Sequence, residues 1–411
     1  MTAHSVPAAR PTAREYVELA GAIVCGLGVA ITALFLAVSP MVHHLTGSRD
    51  FGVFWATGQQ LVHHGNPFDE RSMGILERAG GLVGNGTFYM RNPPWVLSLA
   101  IPLGWMSPPV ASVAWALGLI GLLAISVMQL RKLYGWSGAA TDLLAYGFPP
   151  ALVCVVMGQT TLFVLLGLVL FLRFHSQRPF VAGMALWFWT LKPQLLVPVG
   201  VVLLVWILLT RSYRTVLGLL TALAASSLLI EWIDPAIWTQ YLHWARNSGV
   251  AQQYIPCLGV FLRDAIRPGS ERLAFVPSIL ASIWALGYFG KRRRAWDWTR
   301  DGHLLLLVSL FAAPYCWVYD QCLAIPALLF AAIHARSTKA VAALIALYAV
   351  LDLQPFFLPR GINSPLYLWP ALAWLLWYAV AERSFRLPER SAEARPEDVV
   401  FPAGHEPAAT R

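Results

Sequence analysis

Charged residues are scarce in this chain. They make up 12% of its 411 residues, against about 25% in an ordinary soluble domain. Cysteine is scarce too: there are five, none spaced as in a metal site, and we interpret them as small packing residues. No glycine-rich loop followed by a helix, no Ser-His-Asp arrangement and no internal repeat is evident. These absences argue against a soluble domain and against a nucleotide-driven motor.

Hydrophobic residues, in contrast, make up 57% of the chain. Many of them lie in uninterrupted runs close to the 17–25 residues, roughly, that a helix needs to cross a bilayer. The net charge of +9 could suggest a nucleic-acid partner. However, the cations fall in short clusters between the apolar runs, which is typical of cytoplasmic loops. We therefore predict a polytopic membrane protein that does not bind nucleic acid.

The apolar runs predict an all-α fold of about twelve transmembrane helices. The predicted spans are 17–38, 95–130, 139–157, 160–174, 179–192, 194–210, 215–230, 274–290, 303–318, 320–335, 340–356 and 366–381. They form a transmembrane domain over 17–381, preceded by a cytoplasmic segment over 1–16. The last stretch, 382–411, is rich in Glu, Arg, Pro and Ala and is predicted to be a disordered cytoplasmic tail.

The placement of the cations decides how the long run 95–130 is counted. Three prolines, Pro102, Pro108 and Pro109, interrupt it, so it could be one broken helix or two short ones. Counted as one crossing, it places every cation cluster on the same face as Arg10 and Arg14, as the positive-inside rule requires. These clusters are Arg131/Lys132, Arg173/Arg178, Arg211/Arg214, Lys291 to Arg294, Arg336/Lys339 and Arg383/Arg386.

The same topology collects the unusual polar segments on the outer face. They are the loops 39–94 and 231–273 and the turns 158–161, 191–194 and 313–321. A functional site that faces outward is therefore predicted.

The first outer loop, 39–94, is too long for a simple connection. Within it, Phe51, Phe54, Trp55, Leu61 and Val62 recur near helical spacing, which predicts an amphipathic helix that lies in the membrane interface. The same segment contains Asp50, which we place just before the helix. Its carboxylate could be an N-cap for the helix, a catalytic group, or both.

Two cations at the outer face are candidates for contacts with an anionic ligand. Lys192 lies within the apolar stretch 179–210, and an ionisable residue there is by default a functional hypothesis, although its side chain could also snorkel to the interface. Arg91 follows Tyr89 and precedes the Pro93-Pro94 pair, and its guanidinium suits phosphate oxygens. Tyr89 could equally belong to an aromatic belt.

Other polar residues could bind a hydroxyl-rich ligand such as a sugar. The amides of Gln159 and Gln194 could do so, or could satisfy backbone groups at helix breaks. Asp320 has aromatic neighbours that include Tyr319, an arrangement that suits sugar rings but also fits a membrane belt. The remaining candidate substrate-binding residues are Asn92 and His64. We predict no dedicated metal site, although a divalent cation could assist the reaction.

Four segments of the chain resemble glycosyltransferase family 87. The string RDFGVFWATGQQLVHHGNPFDE resembles the family's first outer loop, and FYMRNPPWVLSLAIPL resembles its Phe-x-Tyr-Pro-Pro entry into the second span, with Asn92 in place of the usual Tyr. MGQTTLFVLLGL and GMALWFWTLKPQLLVPV resemble its Gly-Gln and Lys-Pro turns. The recognisable motifs run from about 49 to 210, and only the hydropathy pattern continues beyond them.

The resemblance implies a GT-C fold and an inverting transfer of a sugar from a polyprenyl-phosphate donor, with no nucleotide donor. The acceptor would be a glycolipid or a polysaccharide at the outer face of a bacterial cytoplasmic membrane. The sugar would be mannose or another hexose, with arabinofuranose as a further option. Asp50 matches the family's acidic loop residue, which implies a general base, and Lys192 and Arg91 would bind the donor phosphate.

Three other functions are compatible with parts of the sequence. A lipid or polysaccharide flippase would be expected to carry mid-span charges and two-fold internal symmetry. A non-catalytic scaffold for envelope assembly would not need Asp50 or Lys192. A ligase-like or phosphoethanolamine-type transferase would be expected to carry a long soluble domain or Arg/His pairs in a large outer loop. The clustering of polar residues at the outer face favours the glycosyltransferase.

Overall fold

A computed structural model describes residues 12–38, 49–81, 90–247, 255–357 and 365–386. Every regular element in these ranges is a helix, which agrees with the predicted all-α class. The α-helices are Ala13–Val38, Arg49–Val62, Glu70–Ala79, Pro108–Tyr134, Ala139–Tyr146, Pro149–Val156, Thr161–Phe174, Pro179–Leu186, Val197–Thr210, Tyr213–Ile233, Ile237–Asn247, Leu258–Ile266, Val276–Arg292, Gly302–Ala312, Ile325–His334, Thr338–Phe357 and Trp369–Arg386. The 3₁₀ helices are Pro94–Leu99, Ile101–Trp105, Trp187–Leu191, Pro193–Leu195, Glu271–Phe275, Val318–Ala324 and Pro365–Tyr367.

Several of these helices can cross a membrane. In the described residues, four are long and apolar enough by themselves: Ala13–Leu34, Pro108–Tyr134, Tyr213–Ile233 and Glu271–Arg292. A fifth span results if Ala139–Tyr146 and Pro149–Val156, bent by 47°, are counted together. The chain is therefore an integral membrane protein with several spans, but the predicted number of twelve is not confirmed. The reason is that prolines and 3₁₀ turns divide many apolar runs into helices of 10–17 residues.

The long run 95–130 contains one spanning helix. Helix Pro108–Tyr134 has 27 residues, a length of about 40 Å at 1.5 Å per residue. Pro108 and Pro109 lie in its first turn, where proline costs no hydrogen bond, so they begin the helix rather than break it. Two short 3₁₀ helices, Pro94–Leu99 and Ile101–Trp105, precede it. The positions of the cation clusters likewise favour one membrane crossing, and not two, for the run 95–130.

The first helix of loop 39–94 is buried in the protein, which corrects the prediction of an interfacial helix. All residues from Phe51 to Gly58 are buried. The helix lies so close to Ile101–Trp105 that a Cβ atom on Gly58 would be 2.3 Å from the carbonyl oxygen of Ala100. The helix also begins at Arg49, so Asp50 lies in its first turn and does not precede it. A carboxylate in the first turn interacts favourably with the helix dipole.

The described parts of the loops 39–94 and 231–273 pack against each other. Phe68 in the first loop contacts Tyr241 and Trp244 in the second, with ring centroids 5.4 and 6.0 Å apart. Trp95 lies 6.0 Å from Trp238 in the same way. Loop 231–273 is thereby held beside the segment that carries Arg91.

The described cation clusters meet at one end of the helical bundle, which we call the basic end. Arg14 donates to the carbonyl of Ala335 (3.3 Å), and Arg131 pairs with Asp142 (3.1 Å). The Tyr134 hydroxyl lies 2.7 Å from the ring of His303. Helix Thr161–Phe174 has 14 residues and spans about 20 Å from this end to the opposite one. The opposite end, where Thr161 lies, is called the site end.

Candidate functional site

Lys192 lies at a break between two 3₁₀ helices. Trp187–Leu191 ends just before this residue and Pro193–Leu195 begins just after it. A residue before proline is disfavoured in the α conformation, and Lys192 adopts φ −142° and ψ 64°. The break places the Lys192 side chain at the site end, because Asp320 binds both Lys192 and Thr161.

The Lys192 ammonium is held by three side chains. Its Nζ atom donates to Oδ1 of Asp320 (2.7 Å) and to Oε1 of Gln159 (2.9 Å). It also lies 4.8 Å from the centroid of the Tyr319 ring, within the range of a cation–π interaction. The sequence positions of Gln159, Lys192 and Tyr319 are far apart, so the tertiary fold brings these predicted residues together.

Asp320 is enclosed completely. Its side chain is 0% exposed, against 11% for Lys192. Oδ1 also accepts from the Thr161 hydroxyl (2.6 Å), and Oδ2 accepts from the backbone N–H of Trp317 (3.0 Å). Both oxygens are thus occupied by the protein, so the direct sugar contact predicted for Asp320 has no support here. Asp320 is instead the buried ion-pair partner of Lys192. Removing one partner of such a pair costs about 3–5 kcal/mol.

Gln159 is positioned by a tight turn between two helices. Gly158 has φ +66°, a conformation that glycine adopts without strain, between Pro149–Val156 and Thr161–Phe174. The indole N–H of Trp115 donates to the Gly158 carbonyl (2.8 Å) and fixes this turn. Gln159 itself is buried, at 8% exposure. The chain reversal therefore presents one amide oxygen to Lys192.

The helix that carries Asp50 is anchored to the same turn. Phe51 and Phe54 pack against the Trp115 ring at centroid distances of 6.3 and 5.2 Å. The Asp50 carboxylate lies within electrostatic range of the Tyr319 phenol. The Lys192 ammonium contacts the ring of the same residue. Asp50 is partly exposed, whereas Asp320 is buried.

The segment with Arg91 and Asn92 is bonded to the turn that carries Lys192. The Asn92 amide donates to the Leu191 carbonyl (3.3 Å), and the Trp95 indole donates to the Thr190 hydroxyl (2.9 Å). Arg91 is exposed and interacts electrostatically with Tyr315. Lys192 interacts with Tyr315 in the same way. Both predicted phosphate-binding cations therefore act electrostatically on one aromatic residue.

Three predicted substrate-binding residues are not placed in this cluster. His64 is exposed just past the end of the helix that begins beside Asp50, about 20 Å from Asp50 along the helix axis. Gln194 is half-buried in the 3₁₀ turn after Lys192, and no hydrogen bond links its amide to the described cluster residues. Tyr89 lies outside the described residues.

Two hydrogen-bond partners of Asp320 in the candidate site are not among the residues predicted from the sequence. Thr161 donates directly to Asp320 and could have been found from the sequence, because it lies in the turn GQTT beside Gln159. The backbone N–H of Trp317 is the other missed partner. Backbone donors leave no trace in a sequence, so this contact could not have been predicted.

The described residues contain no group of three or more His, Cys, Asp or Glu side chains that could hold a metal ion. The two carboxylates of the site, Asp50 and Asp320, differ in how they could bind a cation. Asp320 is occupied by protein donors, and a single carboxylate such as Asp50 is a poor dedicated cation site.

A comparison with protein-family models adds a finding about the whole chain. The model of glycosyltransferase family 87 matches residues 89–359, which is about two thirds of the 411 residues. The match includes Arg91, Gln159, Lys192 and Asp320, whereas Asp50 precedes it. No curated protein and no solved structure matches the chain.

Proposed function

The chain belongs to glycosyltransferase family 87, and we propose that it is an inverting enzyme that uses a polyprenyl-phosphate sugar as its donor. The sugar would be mannose or another hexose, or alternatively arabinofuranose. The acceptor would be a glycolipid or a polysaccharide at the outer face of the cytoplasmic membrane. The observation that carries this proposal is that the Lys192 ammonium contacts the Tyr319 ring and that a partly exposed carboxylate, Asp50, interacts electrostatically with the same residue.

Asp50 is proposed as the general base. In an inverting transfer, an acceptor hydroxyl attacks the anomeric carbon from the face opposite the phosphate. The new glycosidic C–O bond forms while the C–O bond to the phosphate breaks, and the polyprenyl phosphate leaves with the bonding electrons. The acceptor proton must pass to a base, which requires an ionised carboxylate that the acceptor can reach. Asp50 meets this requirement better than Asp320, which is fully buried and hydrogen-bonded by the protein.

Lys192 and Arg91 are proposed to stabilise the leaving phosphate. A lysine ammonium has three N–H donors, and Asp320 and Gln159 accept from Nζ, which leaves one N–H for a phosphate oxygen. Since the Lys192–Asp320 pair is neutral as a whole, Arg91 must supply the charge that balances the phosphate. Cations fixed where negative charge develops lower the barrier of such a transfer.

An apolar groove beside the site supports a lipid-linked donor. It has a volume of about 250 Å³ and is lined by side chains that include Leu36, Phe51, Val113 and Trp115. Phe51 is the direct neighbour of Asp50, and Gly158, which precedes Gln159, also lines the groove. The prenyl tail of a donor would lie here, with its phosphate toward Lys192.

The orientation is also part of the proposal. The basic end would face the cytoplasm, because Lys and Arg accumulate in cytoplasmic loops. The site end would then face outward, where polyprenyl-linked sugars can be used and nucleotide sugars are absent.

The proposal is tested by incubating the purified protein with a panel of radiolabelled polyprenyl-phosphate sugars and envelope extract. We expect label in a glycolipid or polysaccharide from one of these donors, and no label with the Asp50→Asn variant. Parallel reactions with nucleotide sugars should give no product. Transfer from a nucleotide sugar alone would refute the donor class, and unmodified donor after incubation with every acceptor fraction would refute the enzymatic function.

A further inference from the structure

A large cavity lies at the basic end of the described part of the chain, far from the site. It has a volume of about 740 Å³ and is lined by residues 290–295 together with Asp297, Arg300 and Asp301. Helix Gly302–Ala312 starts beside it and ends near Tyr315, so about 16 Å of helix separates the cavity from the site. The glycosyl-transfer site does not use this cavity.

The cavity lining is strongly basic. It includes five cations, Lys291, Arg292, Arg293, Arg294 and Arg300, and only two acids, Asp297 and Asp301. Side chains of like charge repel one another at this density, and a bound anion relieves that repulsion.

The two acids are already occupied by the protein. Asp301 lies 3.7 Å from Arg292 and accepts from the backbone N–H of Asp297 (3.1 Å). Asp297 accepts from the backbone N–H and the hydroxyl of Thr299 (2.8 and 2.7 Å).

Arg292, the cation that pairs with Asp301, also contacts an aromatic ring. The Arg292 guanidinium lies 4.1 Å from the centroid of the Tyr288 ring. Among the described residues, the other four cations, Lys291, Arg293, Arg294 and Arg300, form no ion pair with an acid.

The position of the cavity indicates where an anion would come from. Lys291 and Arg292 form the last turn of helix Val276–Arg292, which belongs to a candidate membrane span. The outward face of this helix carries Ile279, Leu280 and Ile283, with exposed fractions of 56, 61 and 63%. Since such a face suits lipid tails, the end of this helix lies at the depth of lipid headgroups. Basic pockets at that depth bind anionic headgroups.

We infer that this cavity binds the phosphate of an anionic phospholipid headgroup through Lys291, Arg293, Arg294 and Arg300. Arginine guanidinium groups can each present two parallel N–H donors to a phosphate, so several of them around one cavity form a specific site. If these cations served only to orient the chain in the membrane, their positive charge would suffice and they would not need to surround a cavity.

The test is native mass spectrometry of the purified protein during titration with phosphatidylglycerol, with phosphatidylcholine as the neutral comparison. We expect phosphatidylglycerol to bind, and to bind about tenfold or more weakly when Lys291, Arg293, Arg294 and Arg300 are all replaced by Gln. The matched control replaces four exposed cations of the same end that lie outside the cavity, Lys132, Arg214, Arg336 and Lys339, and should retain tight binding. Equal loss in both variants would show a diffuse field of charge and would overturn the site.

A second measurement uses the unmodified protein and so does not depend on how well the fourfold variant folds. Inorganic pyrophosphate is added at increasing concentration to the complex with phosphatidylglycerol. We expect it to displace the lipid only at concentrations far above that of the lipid. Displacement at equal concentration would overturn the lipid assignment, because a soluble anion would then be the better ligand. Equal binding of phosphatidylcholine would overturn the site itself. Lipid binding is measured directly, so the result is independent of glycosyl transfer.

Discussion

The Nζ atom of Lys192 lies 2.7 Å from Oδ1 of Asp320, and this buried ion pair joins two residues that are 128 positions apart in sequence. The lysine retains 11% exposure while the aspartate has none. The pair is therefore asymmetric: the aspartate is part of the protein interior, and the lysine faces the site.

This asymmetry predicts how the pair responds to substitution. Asp320→Ala should lower the free energy of unfolding by about 3–5 kcal/mol, because it leaves the Lys192 charge buried without its partner. The double variant Lys192→Met/Asp320→Leu should be more stable than Asp320→Ala while remaining inactive. Thermal unfolding in detergent measures the first effect and a transfer assay the second. Full activity in the double variant would show that Lys192 has no part in the reaction.

Asp50 is the residue on which the proposed chemistry depends. Asp50→Asn should reduce the rate of transfer by about 100-fold or more, because the amide cannot accept the acceptor proton. The rate is measured with saturating donor and acceptor, and insertion into the membrane is checked separately. Asp69→Asn is the matched control, since Asp69 only caps helix Glu70–Ala79 and asparagine caps equally well. More than about a tenth of the activity in Asp50→Asn would contradict the assignment of the base.

Arg91 is expected to act on the donor. Arg91→Gln should raise the KM for the polyprenyl-phosphate donor by about tenfold, with a smaller effect on the acceptor, because a cation beside the phosphate is lost. Lys192→Met should act in the same direction. Steady-state kinetics with each substrate varied in turn separates the two effects. Arg71→Gln, at an exposed position of the neighbouring helix Glu70–Ala79, serves as the control. An unchanged donor KM in Arg91→Gln would remove Arg91 from the phosphate site.

The contact between Gly58 and Gly104 positions the helix that carries Asp50. A Cβ atom on Gly58 would lie 2.3 Å from the Ala100 carbonyl oxygen and 2.7 Å from the Gly104 nitrogen. Gly58→Ala should therefore cost about 1–3 kcal/mol of stability and lower kcat, because the helix must move away from the 3₁₀ segment. Gly118→Ala, where a Cβ meets no atom within 4 Å, should change neither quantity. Equal behaviour of the two variants would mean that this close approach does not hold the helix.

The orientation can be tested by cysteine labelling, because all five native cysteines are buried. A cysteine at His63, which is exposed beyond the end of helix Arg49–Val62, should react with a membrane-impermeant maleimide in intact cells. A cysteine at Lys339, exposed near the start of helix Thr338–Phe357, should react only after the cells are permeabilised. The reverse pattern would place the site in the cytoplasm.

The candidate site was predictable from sequence in its residue types but not in their roles. Lys192 is a candidate because an ionisable residue within an apolar run is costly unless it has a function, and Arg91 because its guanidinium suits phosphate oxygens. Gln159 is a candidate for its amide, and Tyr319 as an aromatic neighbour of Asp320. The pairing of Lys192 with Asp320 could not be predicted, since nothing in the local sequence of either residue indicates the other. For the same reason, the sequence leaves open whether Asp320 contacts a sugar or lies in a membrane belt, and it does not indicate the buried ion pair that the structure shows.

The apolar composition and the periodic placement of cations by themselves determined that this is an all-helical membrane protein whose basic clusters share one end. Both properties are sums over many residues, so local patterns suffice to determine them. Only the tertiary structure decided which apolar runs are long single helices and which are short helices broken by prolines and 3₁₀ turns. It also decided that the helix of Asp50 is buried. Sequence periodicity shows that a helix has an apolar face but not which segment covers that face. Here the covering segment is distant in sequence, and it can approach only because position 58 is a glycine.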